Sequence, residues 1–304
     1  MKDLAILGAG PAGMTAAVYA ARKKVEMVLV SKDVGGQMLW TLGIENYMGY
    51  QYIEAPDLIS KFEAQVKQFP IEQRIGNKAG SVKQVNGGFH IEVDGGGPLE
   101  AKAVLIATGK RPRQLGVPGE GRLRGRGVSY CAICDGPLFS MDKVVVVGGG
   151  NSGLEAVYDL LKLGAPRVTL ISNTSLAADE VLIEQVKDSP NLDIFTEHEV
   201  VEITGDKRVE GIHIRSLKDG SEHDMEVGAA FVEIGLQPNS ELVKGLVDLN
   251  SWGEIKVNLS CETNVPGFYA AGDVTDVPEK QIVVAAGEGA KAAIQAQKYL
   301  QRLG

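Results

Sequence analysis

The chain has 304 residues, 44% of them hydrophobic and 23% charged, with a formal net charge of −8. Such a length and balance fit about two globular domains with buried cores and exclude a disordered chain. The acidic surplus argues against a general nucleic-acid surface, and no run reaches the ~18–20 apolar residues of a membrane span.

The first element is an apolar β-type run, Leu4 to Leu7, leading through Gly8-Ala9-Gly10-Pro11-Ala12-Gly13 into a helical pattern. Glycines between strand and helix give a tight turn and let a pyrophosphate approach backbone N–H groups at a helix N-terminus. No basic leader with a cleavage site precedes the strand, so a cytoplasmic protein is expected. The strand Met27 to Val30 ends in Ser31-Lys32, not in the acid that usually meets a ribose at that point. The alternating stretch Gly88 to Val93 and a buried strand Ala103 to Ala107, closed by Thr108-Gly109, complete half of a nucleotide-binding domain.

A basic segment follows: Lys110, Arg111, Arg113, Arg122, Arg124 and Arg126, six cations in seventeen positions. It is read either as a solvated interdomain linker with some phosphate contact or as a docking patch for an acidic redox protein. Directly after it stands Cys131-Ala132-Ile133-Cys134-Asp135. A Cys-x-x-Cys beside a βαβ pattern reads as thiol–disulfide chemistry. Cys261 has no local partner, and His90, His198, His213 and His223 are scattered, so no metal site is expected.

Residues 143–242 repeat the plan of the first unit. Val144 to Val147 leads into Gly148-Gly149-Gly150-Asn151-Ser152-Gly153, a helix through about Leu163, a strand Arg167 to Ile171, and a closing strand Ala230 to Ile234. Phe268 to Asp273 and a terminal helical pattern have no place in this second unit. The expected fold is therefore α/β, with two Rossmann-like, doubly wound dinucleotide domains, the second inserted into the first. Residues 1–113 and 246–304 form the outer domain, and 114–245 the dithiol-bearing insert. The crossings lie near Pro112 to Pro118 and Pro238 to Leu249, where Pro, Gly and polar residues gather.

Two glycine fingerprints flanking a redox-type dithiol, with Gly35-Gly36-Gln37, Glu45-Asn46-Tyr47, Ala107-Thr108-Gly109, Thr263 to Asp273 and Lys280-Gln281, resemble the low-molecular-weight thioredoxin reductases. The chain is also similar to the flavoprotein portion of the alkyl hydroperoxide reductases. This resemblance covers essentially the whole chain. It implies an FAD pyrophosphate on Gly8, Gly10, Pro11, Ala12 and Gly13. Gly36, Gln37, Asn46, Thr108, Gly109, Gly272, Asp273, Lys280 and Gln281 would surround the rest of the cofactor. Gly148, Gly150, Asn151, Ser152 and Gly153 would face a pyridine nucleotide. It further implies that Cys134 is the flavin-facing thiol, Cys131 the outer thiol that attacks a thioredoxin-like protein, and Asp135 their proton donor and acceptor. A homodimer and a rotation of the inserted domain complete the expectation.

One departure concerns the electron donor. NADPH-specific members carry arginines just past the second strand of the inserted domain, because a 2′-phosphate needs guanidinium partners. Here Leu170 to Asp179 contains no basic residue, nor the ribose-binding acid common in NADH users at the strand end, where Ser172 and Asn173 stand. The donor is thus NADH, NADPH or a redox protein such as ferredoxin. The rival readings are an NADH-dependent reductase of a peroxiredoxin-recycling carrier, a ferredoxin-fed thioredoxin reductase, and a flavin-binding sensor without turnover.

Overall fold

The computed structural model describes residues 1–41 and 43–303. The chain opens with β1 (Lys2–Ala9), α1 (Pro11–Arg22) and β2 (Met27–Val34), then α2 (Ala55–Val66), β3 (Glu72–Ile75), β4 (Lys78–Val85), β5 (Gly88–Asp94) and β6 (Leu99–Ile106). The strands order as β3-β2-β1-β6-β5-β4. β1 runs parallel to β2 and β6, whereas β4 and β5 add an antiparallel hairpin. Leu4 and Ile6 pack on one face of the sheet with Met14, Ala16 and Ala17 of α1, and Ala5 and Leu7 on the other with Phe89 and Val104. Burial on both faces is why β1 reads as a continuous apolar run without alternation.

The chain leaves this sheet through β7 (Lys110–Pro112) and builds a second body. β8 (Val128–Ser129), α3 (Ala132–Asp135), β9 (Lys143–Val147), α4 (Asn151–Lys162), β10 (Arg167–Ser172), α5 (Glu180–Val186) and β11 (Leu192–Thr196) come first. An antiparallel sheet of β12 (His198–Thr204), β13 (Gly211–Ser216) and β14 (Glu222–Glu226) follows, and then β15 (Ala229–Val232). The parallel sheet orders as β8-β15-β9-β10-β11. Val144 and Val146 face a core with Leu154 and Val157 of α4, while Val145 and Val147 face Ile203, Ile212 and Ile214 from the antiparallel sheet.

β16 (Leu236–Pro238) carries the chain back, pairing antiparallel with β7 through Leu236↔Pro112, Gln237↔Arg111 and Pro238↔Lys110. Both crossings thus form one two-stranded ribbon. Asn239 stitches it to the end of the first sheet, its Nδ2 donating to Thr108 O at 2.8 Å while its carbonyl accepts the Thr108 hydroxyl at 2.7 Å. β17 (Phe268–Ala270) then adds to β6 in parallel, and α6 (Ile282–Leu303) packs along α1. The two close so tightly that a Cβ on Gly289 would lie 2.0 Å from Ala12 O. Among the described residues no helix is long and apolar enough to cross a membrane.

Candidate active site

The two glycine turns are built alike. Gly8 has φ +114°, and a Cβ there would meet Ala107 O at 2.2 Å; Gly148 has φ +137°, and a Cβ would meet Glu233 O at 2.3 Å. Any side chain would push each turn off the neighbouring strand. A Cβ on Gly13 or Gly153 would lie 1.8 Å from the carbonyl oxygen of Gly8 or Gly148, so each helix starts hard against its turn. At Gly10 and Gly150, by contrast, a Cβ would meet nothing within 4 Å, which leaves room for a phosphate above the N-termini of α1 and α4. Pro11 and Ala12 begin α1, as Asn151 and Ser152 begin α4.

Around the first turn, residues distant in sequence converge. Gln37 Nε2 donates to Asp273 Oδ2 at 2.7 Å, and Asn46 Nδ2 donates to Gln281 Oε1 at 3.1 Å. Gly36 lies against Gly10, where a Cβ would stand 3.5 Å from the Gly10 Cα. Gly272, at φ +75°, brings its backbone against Ala12 and Ala285. Burial raises the Asp273 carboxyl above its ordinary range, against the lowering influence of Lys280, Lys110 and the Gln37 bond. Glu288 on α6 accepts the Gly272 N–H at 2.8 Å and so fixes the Gly272-Asp273 turn from behind. Lys280 is tied up, ion-pairing with Glu254 at 3.4 Å and donating to the carbonyls of Thr275 and Val277. Thr108 and Gly109 sit where β6 passes into the ribbon. An open phosphate niche at Gly10 beside a half-buried carboxylate fits an FAD-type dinucleotide.

Cys131 and Cys134 are joined in a disulfide, with Cα atoms 5.3 Å apart, at the start of α3. Asp135 is only 6% exposed and is held by two hydroxyls. Ser129 donates to its Oδ2 at 2.7 Å, and Thr41 donates to its Oδ1 from across the domain boundary. Burial raises the Asp135 carboxyl, while the two hydrogen bonds lower it. Ser129 Oγ also accepts the Cys131 N–H at 3.1 Å, so one hydroxyl organises both the acid and the dithiol turn. Thr41 directly follows the segment Gly36–Trp40 that carries Gln37. The dithiol is therefore docked on the part of the outer body that also reaches Asp273.

A second contact holds this docking. The Arg124 guanidinium lies 4.9 Å from the ring centre of Trp40 and 5.5 Å from that of Tyr130, whose rings are themselves 6.2 Å apart. Tyr130 in turn donates to Glu120 at 2.9 Å, and burial together with that carboxylate pushes its phenol up to about 12.

The basic segment does not form one free patch. Lys110 pairs with Glu254, Arg111 with Glu241 at 2.6 Å, and Arg122 donates to the carbonyls of Gly205 and Asp206. With Arg124 stacked between rings, only Arg113 and Arg126 of the six lack a carboxylate, carbonyl or ring partner among the described residues. The linker reading suits this arrangement better than the docking patch.

At the second glycine turn, Asn151 and Asp179 form a reciprocal pair. Asn151 Nδ2 donates to Asp179 Oδ2 at 2.9 Å, and the Asp179 N–H donates to Asn151 Oδ1 at 2.8 Å. The Ala177 N–H reaches Gly149 O at 2.8 Å, which folds the segment after β10 back onto the turn. Ser172 is buried against Gly149, and Asn173 is exposed. The hydroxyls of Thr41 and Ser129 and the carboxylates of Glu233 and Glu288 carry no motif, and sequence reasoning missed all four. Cys261 is buried at φ +60°, and burial pushes its thiol up to about 11.

Residues 2–289 match the family model of the pyridine nucleotide-disulphide oxidoreductases. The chain is 43% identical over 304 residues to the F component of the alkyl hydroperoxide reductase of Pseudomonas putida, covering 99% of this chain but 58% of that protein. Among solved structures, thioredoxin reductase from Streptococcus pyogenes MGAS5005 superimposes with a TM-score of 0.94 at 36% identity, over 99% of each chain. Lactococcus lactis thioredoxin reductase in its FR conformation, 33% identical over 99% of this chain and 100% of that one, reaches a TM-score of 0.69.

Proposed function

The chain belongs to the pyridine nucleotide-disulphide oxidoreductase family, and from that premise we propose an FAD-dependent disulfide reductase that acts on a thioredoxin-like protein through Cys131 and Cys134. The observation that carries this reading is the docking of the Cys131–Cys134 disulfide, through Asp135 and Thr41, onto the segment whose Gln37 meets Asp273. Residues 1–113 and 246–304 serve as the flavin domain, and 114–245 as the rotating insert hinged on the β7–β16 ribbon.

FAD bound to the outer domain supplies the two-electron carrier between a reduced donor and a disulfide. The Gly8 to Gly13 turn and the N-terminus of α1 hold its pyrophosphate, and Asp273 with Gln37, and Gln281 with Asn46, orient the remainder. Two electrons entering the Cys131–Cys134 bond cleave it, and Asp135, held by Ser129 and Thr41, delivers a proton to one departing sulfur. The Cys131 thiolate then attacks the partner disulfide and forms a mixed disulfide. Cys134 displaces it, so the partner leaves as a dithiol and the internal disulfide is restored.

The donor separates this reading from its neighbours. The rival reading, NADH as donor and a peroxiredoxin-recycling carrier as acceptor, draws its support from the 43% identity to an alkyl hydroperoxide reductase F component. The absence of any basic residue from Leu170 to Asp179, and the Asn151–Asp179 pair beside the glycine turn, favour a redox protein such as ferredoxin. Anaerobic titration with NADPH, NADH and reduced ferredoxin, read as loss of flavin absorbance, tests the donor. Turnover with thioredoxin tests the acceptor. A protein that bleaches with any donor yet reduces no dithiol carrier would refute the proposal.

A further inference from the structure

Glu233 joins two turns that the sequence presents separately. Its N–H donates to Val147 O at 2.8 Å, and its carbonyl lies where a Gly148 side chain would clash, so its main chain is fixed against the second glycine turn. Its side chain reaches the dithiol. Oε1 accepts the Ala132 N–H at 3.1 Å, the first amide after Cys131. Neither the glycine fingerprint nor the Cys-x-x-Cys pattern marks this position.

Building on the disulfide-reductase reading above, we propose that Glu233 is a positioning residue of the dithiol, whose charge sets the acidity of the Cys131 thiol. Reduction of the disulfide takes two electrons and, at neutral pH, up to two protons onto the two sulfurs. Asp135 serves one side of that exchange. Glu233 acts on the other side through its field: ionised, it opposes a thiolate at Cys131; protonated, it removes that opposition while still accepting the Ala132 N–H. Among the described residues two groups act on its carboxylate: Glu155 of α4, and the Ala132 N–H of the dithiol turn. Burial, with a smaller contribution from Glu155, pushes the Glu233 carboxyl up to about 7, against the lowering effect of the Ala132 bond.

A thiol coupled to a neighbouring carboxyl that ionises as pH rises has a characteristic signature. As pH rises, the ionisation of Glu233 suppresses the Cys131 thiolate that the same rise would generate. The reactive fraction therefore climbs less steeply than tenfold per pH unit between about 6 and 8.

The test is alkylation of the reduced protein by iodoacetamide from pH 5 to 10, with Cys131 followed by mass spectrometry. A dithiol–disulfide equilibrium against glutathione accompanies it. Glu233→Gln keeps an oxygen acceptor for Ala132 but no charge. It should restore the full tenfold slope and raise Cys131 reactivity at pH 8 by about tenfold, which corresponds to a thiol shift of ~1 pH unit. Glu233→Ala, which loses the acceptor, should show the same loss of coupling plus a disturbed equilibrium. If Glu233→Gln superimposes on the wild type while Glu233→Ala departs from it, the role is structural and the proposal fails. If the wild-type disulfide does not equilibrate with glutathione at all, the disulfide-reductase reading itself fails, independently of Glu233.

Discussion

Gln37 and Asp273 are separated by 236 positions and joined by a 2.7 Å hydrogen bond. The bond forms because β17 pairs in parallel with β6, inside the first sheet, after the chain has built an entire second body and returned. The proposed cofactor site of the outer body is therefore complete only when both ends of the chain are folded together.

Removing the carboxylate of that pair should separate flavin retention from folding. Asp273→Ala loses a hydrogen-bonded, charged contact of ~1.5–3 kcal/mol, so FAD affinity should fall by about 10- to 100-fold. Flavin content after dialysis measures it, with far-UV circular dichroism unchanged. A variant that stays fully yellow would remove Asp273 from the cofactor site.

The dithiol should be dispensable for colour and indispensable for turnover. Cys134→Ser and Cys131→Ser should each abolish reduction of a thioredoxin-like partner while retaining FAD. Cys131→Ser, which leaves the Cys134 thiolate, should add a long-wavelength charge-transfer band at alkaline pH. Turnover at the wild-type rate in Cys134→Ser would refute the assignment.

On the proposed mechanism Asp135 should set a pH limit whose direction follows from its burial. Its carboxyl is raised, so the proton is held above the ordinary carboxylate range and turnover should fall as pH rises through that raised value. The stability linked to this group runs the same way, present at low pH and lost as pH climbs through the folded-state pKa. Thr41 and Ser129 oppose the shift, so Thr41→Val should move the fall to higher pH. Asp135→Asn should remove that limb and cost about 10²- to 10⁴-fold in rate. Rate–pH profiles of the three proteins give the answer, and a Thr41→Val limb displaced downward would contradict the stated role.

Arg124 should govern how long the dithiol stays docked. A guanidinium stacked on rings contributes ~0.5–2 kcal/mol, so Arg124→Ala should shift the balance between docked and undocked arrangements by about 2- to 30-fold. The chain has two tryptophans, and in a Trp252→Phe background the emission of Trp40 reports the change directly. Identical emission with and without Arg124 would show that the stack carries no interdomain energy.

NADPH should be a poor reductant. A charge-assisted contact to a 2′-phosphate is worth ~1.5–3 kcal/mol, and none is offered from Leu170 to Asp179, so its affinity should lie orders of magnitude below that of an arginine-clamped site. Arginines at Asn173 and Thr174 should improve NADPH use only if the niche at Gly150 admits the nucleotide. Rapid flavin bleaching by micromolar NADPH in the unmodified protein would overturn this.

Elements that depend on local chain geometry are legible from residues alone. The two glycine turns, the helix that ends near Leu163 and the strand from Arg167 follow from backbone requirements and periodicity, and they stand close to where those rules put them. The β2 strand looks shorter in sequence than it is, because Ser31 to Asp33 are polar. It runs to Val34, since Ser31 Oγ accepts the Ala9 N–H and the main chain keeps its place beside β1. Thr41, Ser129, Glu233 and Glu288 are illegible for another reason. A hydroxyl or carboxylate acquires its role from a neighbour brought in by the fold, as Thr41 does from Asp135, 94 positions away, and no spacing rule encodes that neighbour. Arg124 looks like one of a run of surface cations, and only the approach of Trp40 from the other body turns it into a bridging group.

The β7–β16 ribbon has a consequence for how such a chain can be rebuilt. The insert departs and returns through two adjacent strands, with the Arg113 N–H on Gly235 O at 2.9 Å, so its ends are already side by side. Such a module behaves as a cassette: cut at one doorway and replaced by another module with adjacent ends, it leaves the host sheet continuous. Exchange of the dithiol-bearing piece between relatives should therefore need no redesign of the outer body beyond that doorway and the surface around Trp40 and Thr41. One outer body could in this way be joined to different inserts by recombination alone.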